Sequence, residues 1–365
     1  MHFSTLLASV LSLGAFSTAS PASYGSTTGL AQTMGQNGRS FIGTALTLRS
    51  PNDTSEQAII GNKADFNSIT PENAMKWEST EPARGQYTFS QADAHANWAV
   101  QHGYQLHCHT LVSSGNFDNA TLIAIMKSHI DALAGRYKGK CTRWDVVNEA
   151  LNENGTYRDS VFYNTIGEAY IPLAFKFAKQ ADPKARLFYN DYNLEYAGDK
   201  WLGAQRIVKL VKQYGVKIDG VGLQAHLSSE ATKTSPGAAP DQATLEKVLK
   251  GLTALGVDVA YTEVDVRMNT PSTPAKLQTQ ADTYQRIAAS CMAVKRCVGM
   301  TTWGVSDKYS WIPSTFPGEG AALMWDENYQ KKPAYGGFLN GIQSGKGRRA
   351  VIVGSDPKVQ EADLE

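Results

Sequence analysis

Short runs of apolar or β-branched residues recur along the chain, and each is followed by a polar turn and an amphipathic stretch. These runs predict eight strands, at residues 41–46, 66–70, 104–112, 142–148, 186–190, 220–225, 257–264 and 298–303. Two intervening segments place apolar residues on one helical face: Leu122, Ile125, Met126, Ile130 and Leu133 in the first, and Leu277, Ala281, Tyr284, Ala288 and Cys291 in the second. The pattern therefore alternates strand and helix.

Alternation of this kind predicts parallel strands joined by right-handed crossovers. Eight such units in about 300 residues fit a (β/α)8 barrel, a fold that spans about 200 to more than 400 residues. A doubly wound sheet normally carries a glycine-rich phosphate turn after its first strand, and residues 41–45 contain no such turn. We therefore expect an α/β protein built as a single (β/α)8 TIM barrel.

The two ends of the chain differ in composition from the predicted barrel. Residues 1–22 combine an uncharged apolar stretch with small residues suited to cleavage, which predicts a secretory signal peptide. Residues 23–39 are polar and predict an approach segment, residues 40–342 the catalytic barrel, and residues 343–365 a polar tail. No second long apolar run follows, so we expect a secreted, extracellular protein without a membrane partner. Sequons at Asn52, Asn119 and Asn154 agree with export.

Composition narrows the possible partners. The 365 residues carry 35 Lys plus Arg against 34 Asp plus Glu, a net charge of +1, so no basic surface for nucleic acid is indicated. We expect a monomer without a cofactor. Among the four cysteines, Cys291 and Cys297 are the expected disulfide across a short loop. Cys108 and Cys141 allow either a bridge or buried thiols, and we take buried thiols as the expectation.

Reactive side chains of a barrel are expected where its strands end. Glu149 ends the fourth predicted strand, and Glu263 lies in the seventh among β-branched neighbours. Each glutamate alone is explained by a salt bridge or by the end of a strand. Together they predict an acid and a base that face each other across the barrel mouth.

Further polar and aromatic residues follow the strand ends. They are Glu72, Asn73, Lys76, His109, Asn190, Tyr192, Gln224, His226, Trp303 and Trp311. Hydrogen-bonding groups together with two indoles suit the edges and flat faces of a sugar ring, which indicates a carbohydrate ligand. His107 and His109 share a strand face and allow a metal pair, but no third ligand has a telling spacing, so we expect no metal.

Several segments closely resemble glycoside hydrolase family 10, the fungal endo-1,4-β-xylanase family. They are WDVVNE (144–149), TEVD (262–265), GLQAH (222–226), TWGVSDKYSW (302–311) and TFPGEG (315–320). The resemblance extends from about residue 40 to residue 342. It implies a (β/α)8 barrel that hydrolyses β-1,4 glycosidic bonds of a plant polysaccharide or glycoside with retention and without a cofactor.

The resemblance also implies a role for each candidate residue. Glu149 matches the acid/base, Glu263 the nucleophile, and Asn148 the residue that holds the sugar 2-hydroxyl. His226 matches the partner of the nucleophile, with Gln224 as its neighbour. The remaining matches are sugar-binding positions on the glycone side (Glu72, Asn73, Lys76, His109), aromatic walls (Trp303, Trp311) and the far side of the cleft (Asn190, Tyr192).

Retaining hydrolysis requires one carboxylate and one carboxylic acid about 5 to 5.5 Å apart. We expect hydrogen bonds, including one from His226, to keep Glu263 anionic. We expect partial burial and the nearby negative charge to raise the pKa of Glu149.

The chain departs from the family pattern after the third strand. Where the family usually continues HTLVWHSQ, this chain has HTLVSSGN, so Ser113, Ser114 and Asn116 replace a Trp, a His and a Gln. Tyr309 also stands where an Asp is usual. A lost indole opens room beside the acid/base, which allows a second reading: a tomatinase-type enzyme that releases the oligosaccharide of a steroidal saponin. A third reading is an inert carbohydrate-binding barrel, which normally lacks one of the two carboxylates.

Overall fold

The computed structural model describes residues 28–112 and 119–345. Eight parallel strands pair in chain order, and the last also pairs with the first, so the sheet closes into a barrel. The barrel strands are β1 (Phe41–Leu46), β2 (Ser68–Pro71), β3 (Gln105–Val112), β4 (Cys141–Asn148), β5 (Arg186–Asp191), β6 (Gly220–Leu223), β7 (Asp258–Asn269) and β8 (Cys297–Thr302). The fold is the predicted single TIM barrel.

Helices surround the barrel. They are α1 (Leu30–Gln36), α2 (Thr54–Ile60), α3 (Trp77–Thr80), α4 (Ser90–His102), α5 (Asn119–Arg136), α6 (Val161–Ile166), α7 (Tyr170–Ala181), α8 (Asp199–Gln213), α9 (Gln242–Thr253), α10 (Pro274–Ala293), α11 (Ile312–Thr315) and α12 (Pro333–Gln343). Within the described ranges, no helix is both long and apolar enough to cross a bilayer. The two predicted helical faces are buried in α5 and α10, except for Leu277, which is half-buried.

All eight predicted strands are confirmed, and their ends differ from the predicted ends by a few residues. The main differences are in β6, which ends at Leu223 instead of residue 225, and in β7, which continues to Asn269. The β6 ladder stops early because Ala225 has a positive φ of 57°, a left-handed conformation that a strand cannot contain. A short strand, His226–Ser228, then resumes pairing with β7.

Large side chains fill one level of the barrel interior. Phe41, Phe188 and Ala260 form a buried cluster there, and the Arg143 guanidinium lies 3.6 Å from the centre of the Phe41 ring. Gly299 is required beside it, because a Cβ at that position would come within 2.3 Å of the Phe41 ring. The interior is therefore a packed core, as TIM barrels generally show, and not a channel.

Two disulfides are present, and one corrects the sequence expectation. Cys291–Cys297 forms as predicted, between the end of α10 and the start of β8. Cys108 and Cys141 are also bonded, so the expectation of buried thiols was wrong. They lie on the neighbouring strands β3 and β4, whose pairing brings their Cα atoms to 5.8 Å, within the range of a disulfide.

The predicted terminal segments can be compared with the structure only in part. The predicted signal peptide, residues 1–22, and nearly all of the predicted polar tail lie outside the described residues. The approach segment, residues 23–39, includes helix α1, which the sequence analysis did not anticipate. Leu30 and Met34 of this helix are fully buried, and the helix contacts α12 and β1. The folded barrel unit therefore begins before residue 40.

Candidate active site

The candidate residues converge at the carboxyl ends of the barrel strands. Glu149 directly follows β4, and Glu263 lies in β7 next to the C-terminal end of β6. Asn190 near the end of β5 is paired in register with Asn148 of β4. Closure of the barrel thus brings side chains together that are far apart in the sequence.

Glu263 is buried and held by two groups. Its side chain is only 6% exposed. Asn190 Nδ2 donates a hydrogen bond to Oε1 at 2.7 Å, and His226 Nε2 lies 3.1 Å from Oε2. A buried carboxylate is costly unless it is hydrogen-bonded or paired, and both conditions are met here. The contact with His226 is the one expected from the resemblance.

His226 bridges two carboxylates. Its Nδ1 lies 2.8 Å from Asp265 Oδ2, while its Nε2 contacts Glu263. Burial lowers the pKa of His226, but the charges and hydrogen bonds of Asp265 and Glu263 outweigh burial and raise the pKa to about 10. The imidazole is therefore a cation at neutral pH, and Glu263 faces a fixed positive charge.

Glu149 differs from the expectation. It has a positive φ of 54°, and its side chain is 33% exposed. Gln224 Nε2 donates to Oε1 at 3.1 Å, and Arg158 Nη1 donates to Oε2 at 2.8 Å. Burial raises the pKa of Glu149, but these two hydrogen bonds and the Arg158 charge outweigh burial, so the pKa is lowered. The expected rise was wrong because the contacts of Glu149 with Gln224 and Arg158 were not foreseen.

Three amide side chains connect the two glutamates. Asn148 Oδ1 accepts hydrogen bonds from Gln224 Nε2 at 3.2 Å and from Asn190 Nδ2 at 3.0 Å. Gln224 also contacts Glu149, and Asn190 also contacts Glu263. The carboxylates are thus joined through an unbroken chain of hydrogen bonds. This position of Asn190 replaces the expectation that it lies on the far side of the cleft.

Of the four residues predicted to bind sugar on the glycone side, Glu72, Asn73 and Lys76 follow β2, and His109 lies within β3. Thr47 Oγ1 donates to Glu72 Oε2 at 2.6 Å, and Lys76 Nζ donates to Asn73 Oδ1 at 2.8 Å. His109 is buried, with its Nδ1 2.9 Å from Asp145 Oδ2.

Asp145 also contacts His107, the second histidine of β3. Asp145 Oδ1 lies 3.0 Å from His107 Nε2, so both histidines contact the same carboxylate. Burial lowers the pKa of His109, but the Asp145 hydrogen bond and the Glu263 charge outweigh burial and raise it. In residues 28–112 and 119–345, no group of three or more His, Cys, Asp and Glu side chains could hold a metal ion.

The aromatic residues lie around the buried carboxylates. Trp311 Nε1 donates to Asp265 Oδ2 at 2.9 Å, and its ring packs edge-on against His226 with centroids 4.9 Å apart. Trp303 packs edge-on against His109 at 5.6 Å. Tyr192, after β5, has the Lys200 ammonium 3.1 Å from its ring centre. Both indoles and the phenol ring are therefore positioned by buried polar groups.

Two cavities lie near the candidate residues. One, of about 460 Å³, lies beside Glu149 and includes Lys76, Arg158 and Tyr170 in its lining. The other, of about 270 Å³, lies beside His226 and includes Tyr196 and Arg267. Concave spaces beside Glu149 and beside His226 suit a ligand that contacts more than one part of the site.

Sequence reasoning missed two contributing residues. Asp265 is two residues after Glu263 in the same strand, and alternate strand residues share a face, so this signal was available. Arg158 carried no comparable signal in the sequence.

Of the positions that depart from the family pattern, the structure describes Tyr309 alone. Tyr309 donates to Asp53 Oδ2 at 2.9 Å and lies outside the carboxylate network. The substituted positions Ser113, Ser114 and Asn116 lie outside the described residues.

Comparison with known proteins agrees with this geometry. A model of the family described as glycosyl hydrolase family 10 matches residues 29–341. The chain belongs to glycosyl hydrolase family 10. It is therefore a glycoside hydrolase, and the match begins at helix α1, in agreement with the packing of that helix.

Individual family 10 proteins are similar over most of their length. Endo-1,4-beta-xylanase 2 of Aureobasidium pullulans is 63% identical over 359 residues, which cover 94% of this chain and 99% of that protein. Endo-1,4-beta-xylanase A of Fusarium oxysporum f. sp. lycopersici is 60% identical, over 86% of this chain and 98% of that protein. The structure of native xylanase 10B from Thermotoga maritima superposes with a TM-score of 0.81 at 32% identity and covers 88% of this chain and all of that one.

Proposed function

We propose that this family 10 glycoside hydrolase cleaves β-1,4 bonds of plant xylan with retention, with Glu263 as nucleophile and Glu149 as acid/base. One observation carries the assignment of roles: Glu263 is buried against a cationic imidazole, whereas Glu149 is more exposed and connected to it through amides. The relatives named above are endo-1,4-beta-xylanases, which supports xylan as the substrate.

In the first step, the Glu263 carboxylate attacks the anomeric carbon. The glycosidic carbon–oxygen bond breaks, and protonated Glu149 gives its proton to the leaving oxygen. The hydrogen bond from Asn190 and the contact with His226 fix the direction of the Glu263 carboxylate. Asn148 accepts two bonds at Oδ1, so its Nδ2 end is the group suited to donate toward a sugar hydroxyl.

In the second step, a water oxygen attacks the anomeric carbon, and the bond to Glu263 breaks. Glu149, now a carboxylate, accepts the proton from that water. The contacts from Arg158 and Gln224 stabilise Glu149 as an anion, which is the form that this step requires. The two inversions leave the product in the β configuration.

The test is a comparison of three proteins on xylan. The wild type should release xylo-oligosaccharides, with the β-anomer appearing first by NMR. Glu263→Ala should reduce the rate about 10⁴-fold or more, as loss of a nucleophile generally does. Added azide should restore cleavage in that variant and give the α-glycosyl azide, because azide attacks in place of the missing carboxylate. Glu327→Ala, at an exposed loop position, is the control and should match the wild type.

The outcomes separate the three readings from the sequence. Initial release of the α-anomer, or an active Glu263→Ala variant, would contradict the assigned roles. Release of an intact oligosaccharide from α-tomatine, with xylan untouched, would favour the tomatinase reading, which depends on Ser113, Ser114 and Asn116. Absence of product from either substrate would favour the inert barrel. The xylan reading has the support of the named relatives.

We further propose that the protein acts outside the cell. The signal-like residues 1–22 support export. The three sequon asparagines are exposed, as attached glycans require. After expression in a fungal host, the protein should be found in the culture medium. Its N-terminus should lie near residue 23, and its mass should fall when glycans are removed enzymatically. Retention of residues 1–22 in the isolated protein would contradict the signal peptide.

A further inference from the structure

Glu195 is a buried carboxylate that the mechanism above does not use. It lies in the 3-10 turn Leu194–Tyr196, after β5, and is fully buried. Its Oε1 accepts a hydrogen bond from the backbone N–H of Ala225 at 2.7 Å. Its Oε2 has no hydrogen-bond partner among the residues that the structure describes. A carboxylate kept in such a place is expensive and calls for an explanation.

Ala225 occupies the point where the backbone turns between β6 and the strand His226–Ser228. Its φ of 57° lies in the left-handed region, which is unfavourable for a residue with a Cβ. Neighbouring backbone groups are tied to the barrel, because Gln224 N donates to Asp191 O and Gln224 O accepts from Glu263 N, both at 3.0 Å. The remaining backbone donor at this turn, the Ala225 N–H, donates its hydrogen bond to the Glu195 carboxylate.

The residues on either side of Ala225 contact the two catalytic glutamates. Gln224 donates to Glu149 Oε1 at 3.1 Å, and His226 contacts Glu263 Oε2 at 3.1 Å. The left-handed turn therefore sets the directions of both side chains at once. A bond that fixes this turn fixes the partner of the acid/base and the partner of the nucleophile together.

We propose that Glu195 is a positioning residue, which acts through the Ala225 N–H to hold Gln224 and His226 against the two catalytic carboxylates. This inference rests on the proposed roles of Glu149 and Glu263. The required property of Glu195 is its acceptor oxygen at this distance. Burial raises the pKa of Glu195 to about 7, consistent with a group retained for its acceptor rather than for a permanent charge.

Three variants separate positioning from general stability. Glu195→Ala removes the acceptor, and Glu195→Gln keeps an acceptor oxygen of the same reach. Asp182→Ala is the matched control: Asp182 is also fully buried and accepts from a backbone N–H, that of Gly139, at 3.2 Å, but it contacts none of the cleft residues named above. All three are compared in thermal melts and in steady-state kinetics on aryl β-xylobiosides with good and poor leaving groups.

We expect Glu195→Ala to lower kcat about ten- to hundredfold with both leaving groups and to change KM less than threefold, since small misplacements of catalytic groups have effects of this size. Glu195→Gln should stay within about threefold of the wild type. Asp182→Ala should lower Tm comparably but leave kcat within about twofold. In a double-mutant cycle, Glu195→Ala should lower kcat less in the Gln224→Ala background than in the wild type, because only the His226 contact remains to be displaced.

Two results would overturn the inference. One is a Glu195→Ala variant with wild-type kcat. The other is a Glu195→Gln variant as impaired as Glu195→Ala, because the charge and not the acceptor would then be responsible. Failure of the underlying function is recognised separately, since the wild type would then be inactive or Glu263→Ala would remain active.

Discussion

The Arg158–Glu149 ion pair should set the alkaline limit of activity. Arg158 Nη1 lies 2.8 Å from Glu149 Oε2, and the pKa of Glu149 is lowered in consequence, together with the hydrogen bond from Gln224. In the proposed mechanism Glu149 must be protonated to release the leaving group, so a lowered pKa confines the first step to lower pH. Arg158→Met removes the charge and retains most of the side-chain length. The pKa of Glu149 should rise in this variant.

The size of the rise follows from the exposure of the pair. The side chains of Arg158 and Glu149 are 41% and 33% exposed, so water screens their attraction. Pairs of this kind contribute about 0.2–1 kcal/mol. Since one pKa unit corresponds to about 1.36 kcal/mol, the pKa of Glu149 should rise by less than one unit. The pH at which kcat/KM falls on the alkaline side should increase by the same amount, because kcat/KM reports the free enzyme.

The assay is kcat/KM between pH 3 and pH 9 on a xylobioside whose leaving group is poor enough to need protonation. Arg136→Met is the matched control. Arg136 pairs with Asp93 at 2.5 Å with similar exposures of 44% and 33%, but this pair lies between α4 and α5. The control should leave the alkaline limb unchanged. An unmoved limb in Arg158→Met, or a limb shifted to lower pH, would refute the electrostatic argument.

Four further predictions concern the site and the fold that supports it. Asp265→Asn should lower kcat about tenfold or more and move the NMR titration of His226 from about pH 10 down toward its ordinary value of 6.5, and an unchanged titration would contradict the assigned cause. The raised pKa also means that stability from the imidazolium is complete below about pH 6.5 and is lost as pH rises through 10, which melts across that range should show. Replacing Cys108 and Cys141 by Ala should cost about 4 kcal/mol, against about 2 for the other disulfide, because the loops span 33 and 6 residues; denaturant titration giving the reverse order would contradict this. Gly222→Ala should reduce both Tm and kcat, because the added Cβ would lie 2.2 Å from Oδ1 of Asn190. Unchanged values would show that the site can relax.

Local patterns along the chain were sufficient for the architecture. Apolar runs and helical faces recur at short range, and closure of eight strand–helix units is a common solution for such a pattern. The strand ends were less certain, because pairing partners decide them. Residues 220–225 read as one strand, whereas the left-handed Ala225 divides them into β6 and a second short strand.

The residues of the site were also accessible to sequence reasoning, since motifs name residue types in fixed order. Their electrostatics were not. The expected high pKa of Glu149 considered burial and the opposite carboxylate, but omitted Arg158, whose position relative to Glu149 depends on how the loop after β4 folds. The same limit applied to Cys108 and Cys141, because only the register of β3 on β4 brings them together.

The sequence by itself therefore determined the barrel, its family and the identity of the two carboxylates. Only the tertiary structure decided which groups touch them. Gln224 meets Glu149 across 75 positions of chain, and Asn190 meets Glu263 across 73. The physical reason is that periodicity and motifs depend on neighbours in sequence, whereas pKa values and hydrogen bonds depend on distances in space that barrel closure alone establishes.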